Sequence, residues 1–170
     1  MQPSPDTLKG GHRTIIVRNH QRGQHIDLRL LRKMAVALVG DLWPGGNCDL
    51  GIHIITRPEI VRLNQGFLHH AGSTDVITFN YSSTPHTDTA QGEIFICLAE
   101  AIEQARHFRT TWQAELVRYV VHGILHILGY DDVKPAARRK MKRAEDRLVR
   151  KLACRFPFRQ LGQKEKRHSP

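Results

Sequence analysis

Apolar residues recur along this chain with two periods, and the two alternate. Thr14-Ile15-Ile16-Val17-Arg18 is a short β-branched run of the kind that forms a strand. Across residues 25–39, Ile26, Leu28, Leu31, Met34, Ala35 and Leu38 fall near helical spacing. Pro44-Gly45-Gly46-Asn47 is a turn. Across residues 48–56, Leu50, Ile52 and Ile54 alternate with Asp49, Gly51 and His53. That period of two predicts a strand with the aliphatic set inward and the other set outward. Pro58 suits the first turn of a helix ending near Leu68. Residues 69–73 read as a loop, 75–80 as a strand, 81–91 as a polar loop and 93–97 as a strand. The connection between the last two strands is of a length that permits a hairpin. Residues 98–108 and 112–128 carry helical patterns, and Pro135 opens a further helix to about Leu152.

Strands and helices interleave, which predicts an α/β (α+β) fold. A chain of 170 residues is expected to form one domain around one core. Its boundaries are read as a loose leader over 1–11, the folded domain over 12–153, and a basic tail over 154–170, disordered from Gln160 onward. No apolar run approaches 18 residues, so no membrane span is expected. The first ten residues contain Pro3, Pro5, Asp6 and Lys9 and no apolar stretch of the secretory kind. Cys48, Cys97 and Cys154 show no CxxC spacing and read as reduced thiols of a cytoplasmic protein.

Charge narrows the class of partner. The net charge is +10, which favours a polyanion, because cations that neutralise phosphates gain free energy from counterion release. Arg138, Arg139, Lys140, Lys142, Arg143, Arg147, Arg150, Lys151, Arg155 and Arg159 crowd one C-terminal stretch. Such runs are often a solvated helix face. Here the excess is large and follows the candidate site closely. The stretch lacks Trp and a broad apolar face, which disfavours a membrane surface. Aromatic content is 6%, and the sequence displays no stacking platform for single strands.

The candidate chemistry sits in Val120-Val121-His122-Gly123-Ile124-Leu125-His126-Ile127-Leu128-Gly129-Tyr130-Asp131-Asp132. Two histidines four apart share one helix face, with Cβ atoms about 5–6 Å apart. Two imidazoles so placed can converge on one ion at about 2.0–2.1 Å each. Gly129 can end the helix in the left-handed conformation, so Asp131 or Asp132 can fold back as a third ligand. With 11 His in the chain, the bare pair arises by chance, and two core histidines bonded to a carbonyl or carboxylate remain the plain alternative. The residue after the first His is Gly123, so the Glu of the common zinc-protease motif is missing. Three protein ligands with an open fourth position would suit a catalytic metal that activates water.

His122-Gly123-x-x-His126-x-x-Gly129-Tyr130-Asp131 resembles the signature of the YbeY family of metal-dependent endoribonucleases, which act in ribosomal RNA maturation. Thr74-Asp75-Val76-Ile77-Thr78-Phe79 resembles that family's Thr-Asp-Val-Leu-Ser-Phe strand. Leu63-Asn64 with Phe67 resembles its Leu-Asn-x-x-Tyr helix, and Gly92-Glu93-Ile94 its Gly-Asp-Ile. Met141 and Glu145 are similar to positions of its C-terminal helix. Two positions depart from the pattern: Asp132 stands where the family has His, and Leu68 where many relatives have Arg.

The resemblance implies a small mixed sheet of about four strands with helices packed on it. It implies a single-strand-preferring endoribonuclease that matures the 3′ end of small-subunit ribosomal RNA. The partners would be ribosomal RNA and the small subunit, in the cytoplasm. One Zn²⁺ per chain would be held by His122, His126 and Asp132, while Arg138, Arg139, Lys142 and Arg143 would contact the RNA backbone. No proton donor is named by the sequence. Two rivals are a non-catalytic RNA-binding assembly factor with a structural metal, and a metal-dependent hydrolase of small molecules or peptides. Elsewhere, His53 and His69-His70 read as surface, and Asp75 as a turn or cap residue. Glu93 or Asp131 could orient a ligand histidine. Glu115 and Arg118 read as an exposed helix face.

Overall fold

The computed structural model describes residues 11–68, 72–82 and 89–163. In chain order these form β1 (Arg13–Asn19), α1 (Leu28–Leu42), β2 (Asn47–Ile55), α2 (Arg57–Leu68), β3 (Val76–Asn80) and β4 (Thr89–Cys97). Then follow α3 (Leu98–Phe108), α4 (Trp112–Ile127), α5 (Pro135–Arg155) and a short 3₁₀ helix, Phe158–Gly162. The four strands form one mixed sheet in the order β1-β2-β4-β3. β1 and β4 both run parallel to β2, and β3 pairs antiparallel with β4, the arrangement that the length of their connection permits.

Alternation assigns the two sheet faces. Leu50, Ile52, Ile54, Ile94 and Ile96 are at most 2% exposed and pack in the main core with α1, α4 and α5. Burying each such side chain stabilises the fold by about 1.5–3 kcal/mol. On the opposite face a smaller cluster, Ile55, Ile60, Ile77 and Cys97, sits under α2. The helix carrying the histidines is therefore held against one face of the sheet, and α2 against the other.

Element boundaries moved for local reasons. α1 begins at Leu28 because Asp27 caps it, its Oδ1 accepting from the Leu30 N–H at 2.9 Å. β4 begins four residues before the predicted start, because its polar first half pairs with β2 from Thr89 onward. The folded unit also extends past residue 153. α5 continues to Arg155, and Leu161 of the 3₁₀ helix is fully buried. The Leu161 carbonyl accepts from the Asp27 N–H at 2.8 Å, tying the segment to the start of α1. The expected disorder thus does not begin at Gln160. Residues 164–170, most of the leader, and His69-His70 lie outside the described residues.

Cys48 and Cys97 are buried free thiols and Cys154 an exposed one. Burial pushes the Cys48 thiol up to about 11. Among the described residues no helix is long and apolar enough to cross a membrane.

Candidate metal centre

α4 starts where Thr111 Oγ1 accepts from the Ala114 N–H and runs apolar to its C-terminus. Gly123 lies against the sheet. A Cβ there would stand 2.6 Å from Ile94 Cγ2, so the position cannot take the glutamate of a zinc protease. Gly129 adopts φ +88° and turns the chain back. The Tyr130 N–H then donates to Leu125 O at 3.0 Å, and the Gly129 N–H to His126 O at 3.0 Å. This turn carries Asp132 over the end of the helix.

There the structure brings His122, His126 and Asp132 together. One ligand atom from each lies within 4.8 Å of the others. The two Nε2 atoms face each other at 3.1 Å. Asp132 Oδ2 stands 3.6 Å from His126 Nε2 and 3.9 Å from His122 Nε2. The imidazoles are about one-quarter exposed, so the group opens to solvent on the Asp132 side.

The other ring nitrogens decide the tautomers. His122 Nδ1 lies 3.0 Å from Glu145 Oε2, and His126 Nδ1 lies 3.1 Å from Tyr130 O. A carboxylate and a carbonyl only accept, so a neutral ring in either place carries its proton on Nδ1. Both Nε2 atoms then present bare lone pairs to each other and to an anionic oxygen. Three such donors converging on one point repel one another unless a cation stands between them. The donor set therefore fits a divalent metal, with Glu145 and the Tyr130 carbonyl holding the far nitrogens as groups behind ligand histidines do.

Glu145 is the orienting carboxylate that sequence reading gave instead to Glu93 or Asp131. It is 5% exposed, and its Oε1 accepts from Arg118 Nη1 at 2.7 Å and Lys142 Nζ at 2.9 Å. Burial alone would raise its pKa, but the hydrogen bonds from His122, Arg118 and Lys142 outweigh that and hold it down to about 2. Glu93 turns to the other sheet face, where it accepts from the Tyr81 hydroxyl at 2.9 Å and lies 3.3 Å from His53 Nε2. Asp131 caps its own turn by accepting from the Val133 N–H. Asp75 does likewise for Val76, as predicted.

Two further expectations are corrected. Glu115 and Arg118 are not an exposed face. Glu115 is 6% exposed, and Arg118 bridges Glu145 and Asp146 because α5 packs across α4. His53 points outward from the core sheet face as predicted, yet it is 7% exposed, covered by stacking against Phe95 and His20.

The four predicted RNA contacts divide. Arg138 Nε donates to the Asp132 carbonyl, and Lys142 is committed to Glu145 and Asp146. Arg139 and Arg143 instead join Lys140 and Arg147 around a hollow of about 640 Å³ beside Tyr130. Lys140 Nζ lies 5.7 Å from the centre of the Tyr130 ring. Tyr130, which lines this basic hollow, also supplies the carbonyl that orients His126.

The sequence model of the family described as Endoribonuclease YbeY matches residues 17–153. The chain belongs to the YbeY family. A protein of Bordetella pertussis named Endoribonuclease YbeY is 31% identical over 134 residues, covering 76% of this chain and 85% of that one. A Salinibacter ruber protein of the same name is 36% identical over 106 residues, 59% of this chain and 68% of its own length. One from Chlorobium luteolum is 41% identical over 91 residues, 54% of this chain and 64% of its own. A solution structure of a Thermotoga maritima protein shares the fold, with TM-score 0.63 and 23% identity over 92% of this chain and 100% of that one. YbeY proteins are named for cutting RNA internally, so the chain is a member of a nuclease family, and its His122/His126/Asp132 group can hold a metal.

Proposed function

We propose that this YbeY protein is a metal-dependent endoribonuclease that cuts unpaired RNA in the maturation of small-subunit ribosomal RNA in the cytoplasm. One Zn²⁺ per chain is held by His122 Nε2, His126 Nε2 and the Asp132 carboxylate. The observation that carries this reading is the set of three lone-pair atoms brought together while both Nδ1 atoms are committed elsewhere. A zinc ion at such a site supplies Lewis acidity at the scissile phosphodiester and lowers the pKa of water.

The chain's own residues do the rest. Glu145 and the Tyr130 carbonyl fix the two rings and keep their protons away from the ion. Arg118 and Lys142 keep Glu145 ionised in a buried place. Arg138 holds the backbone of Asp132. Arg139, Lys140, Arg143 and Arg147 take RNA phosphates, which position the strand without reading its sequence. Aspartate in place of the family's third histidine lowers the net charge of the loaded site and supplies a harder ligand.

Metal content by mass spectrometry on wild type, His126→Ala and Asp132→Ala tests this, with melting curves and cleavage of an unstructured RNA in parallel. About one zinc per wild-type chain is expected by the three-ligand open-site reading. Metal and cleavage should be lost in both folded variants. A folded wild type without metal overturns the site. Metal without cleavage favours an assembly factor that binds RNA.

A further inference from the structure

The 6% aromatic content disguises how the rings are placed, because residues far apart in sequence meet on one sheet face. His20 and His53 stack with centroids 5.4 Å apart, and His53 and Phe95 at 4.7 Å with an interplanar angle of 14°. Phe95 meets Phe79 edge-on at 5.8 Å, and Phe79 meets Phe67 at 5.3 Å. Five rings thus cross the sheet from the end of β1 to α2. They lie on the face opposite α4, where the main-core helices do not reach. Ile16 on β1 is left 45% exposed there.

The ends of the row are open. Phe67 is 65% exposed, His20 is exposed, and Tyr81 stands beside the row at 52%. Phe67 and Tyr81 gain little from the fold at such exposure, and clustered exposed apolar surface marks an interaction site. Two hollows flank the buried His53. One of about 510 Å³ is lined by His20, Phe67, Phe95, Glu59 and Arg62 among others. The other, of about 310 Å³, includes Arg18, Asp49, Tyr81 and Glu93.

The charges here differ from those along α5. Arg18 and Arg62 are offset by Asp49, Glu59 and Glu93, so the face is no track for phosphates. Flat rings with carboxylate acceptors beside them suit nucleobases, which offer π-faces and exocyclic amino donors. We infer that this face is a second RNA-contacting surface, on which unpaired bases stack against Phe67, Tyr81 and His20. The inference rests on the proposal that RNA is the substrate. It divides the work: α5 holds the backbone, and the far sheet face holds bases outside the cleavage site.

The test compares fluorescence anisotropy of an oligoadenylate and an abasic oligomer of equal phosphate count, using the full chain at several salt concentrations. Wild type should prefer the oligoadenylate. Phe67→Ala and His20→Ala should each reduce that preference about 5-fold or more, the scale of one lost base–ring stack. Their salt slopes should be unchanged, since no phosphate contact is removed. Phe67→Leu keeps an apolar contact on Phe79 and removes the flat ring, and it should behave as Phe67→Ala does. A 5-iodouridine strand should crosslink on irradiation to Phe67, Tyr81 or His20, located by peptide mass spectrometry. Equal wild-type affinity for the two oligomers, or ring variants that keep the preference, overturns the stacking face and leaves the RNA reading standing. Failure of wild type to bind either oligomer at low salt overturns both.

Discussion

The residue that sets the candidate metal centre is one that contributes no atom to it. Glu145 is buried on α5, accepts a hydrogen bond from His122 Nδ1, and is itself held by Arg118 and Lys142. Glu145→Gln preserves shape but removes the charge that fixes the ring and raises its basicity. Zinc affinity should fall by about 10–100-fold, the usual effect of losing such an outer carboxylate. Competition with a chromophoric chelator reads this directly, and an unchanged affinity would remove Glu145 from the site. The sequence held a signal for this role. Glu145 follows Ala144 and lies at helical spacing from Met141 and Leu148, so it sits on the apolar side of a helix otherwise crowded with cations. Its partner Arg118 was harder to read, because only the packing of α5 on α4 turns that arginine from solvent toward two carboxylates.

At the scale of elements, the fit of α4 on the sheet depends on the bare backbone at Gly123. Gly123→Ala drives a Cβ to within 2.6 Å of the fully buried Ile94. The helix and sheet must part slightly, at about 1–3 kcal/mol, the common cost of overpacking. Urea unfolding measures it, and a neutral or stabilising result would mean the layers can separate freely. At the start of α2 the Glu59 side chain reaches back to Thr56. Glu59 Oε2 accepts from the Thr56 N–H at 2.8 Å and from Thr56 Oγ1 at 2.7 Å. These bonds hold the Glu59 carboxyl below its ordinary value. A lowered carboxylate pKa contributes stability that is fully present above the ordinary value near 4.5 and is lost as pH falls through the lower one. Glu59→Ala should therefore cost about 0.5–2 kcal/mol at neutral pH. The gap to wild type should narrow in acid, as melting curves from pH 7 to pH 3 would record. The same scale explains what was legible. Strict alternation in β2 and helical spacing in α1, α3 and α4 gave those elements, since burial and periodicity coincide there. The first half of β4 was missed because Thr89, Gln91 and Gly92 carry no apolar alternation and are ordered by pairing with β2. Leu161 was missed because one buried apolar residue in a polar tail has no period. The ring row was invisible because His20, His53, Phe67, Phe79 and Phe95 become neighbours only when parallel and antiparallel pairings set their register.

At the scale of the whole molecule, the +10 charge is not spread evenly in function even where it is dense in sequence. Lys151 and Arg155 pair with Asp41 on α1. Arg138 and Lys142 serve the candidate metal centre from behind. Among the described residues of α5, Arg139, Lys140, Arg143 and Arg147 line one open face that begins beside Tyr130 and can meet a polyanion. A bound strand neutralising these side chains would release counterions, and each phosphate contact on a single strand adds about 0.7 to the slope of log affinity against log salt. The double variant Arg139→Ala/Arg143→Ala should then flatten that slope by about 1.4 and weaken binding at low salt. Arg138→Ala should leave the slope near its wild-type value and act instead on metal affinity, through the freed Asp132 backbone. Anisotropy titrations of an unstructured RNA at four or five salt concentrations separate the two outcomes. Equal slopes for wild type and the double variant would mean that RNA does not lie along α5. A flat wild-type slope would remove phosphate neutralisation from the mechanism altogether, and with it the reason for concentrating so much positive charge beside His126 and Asp132.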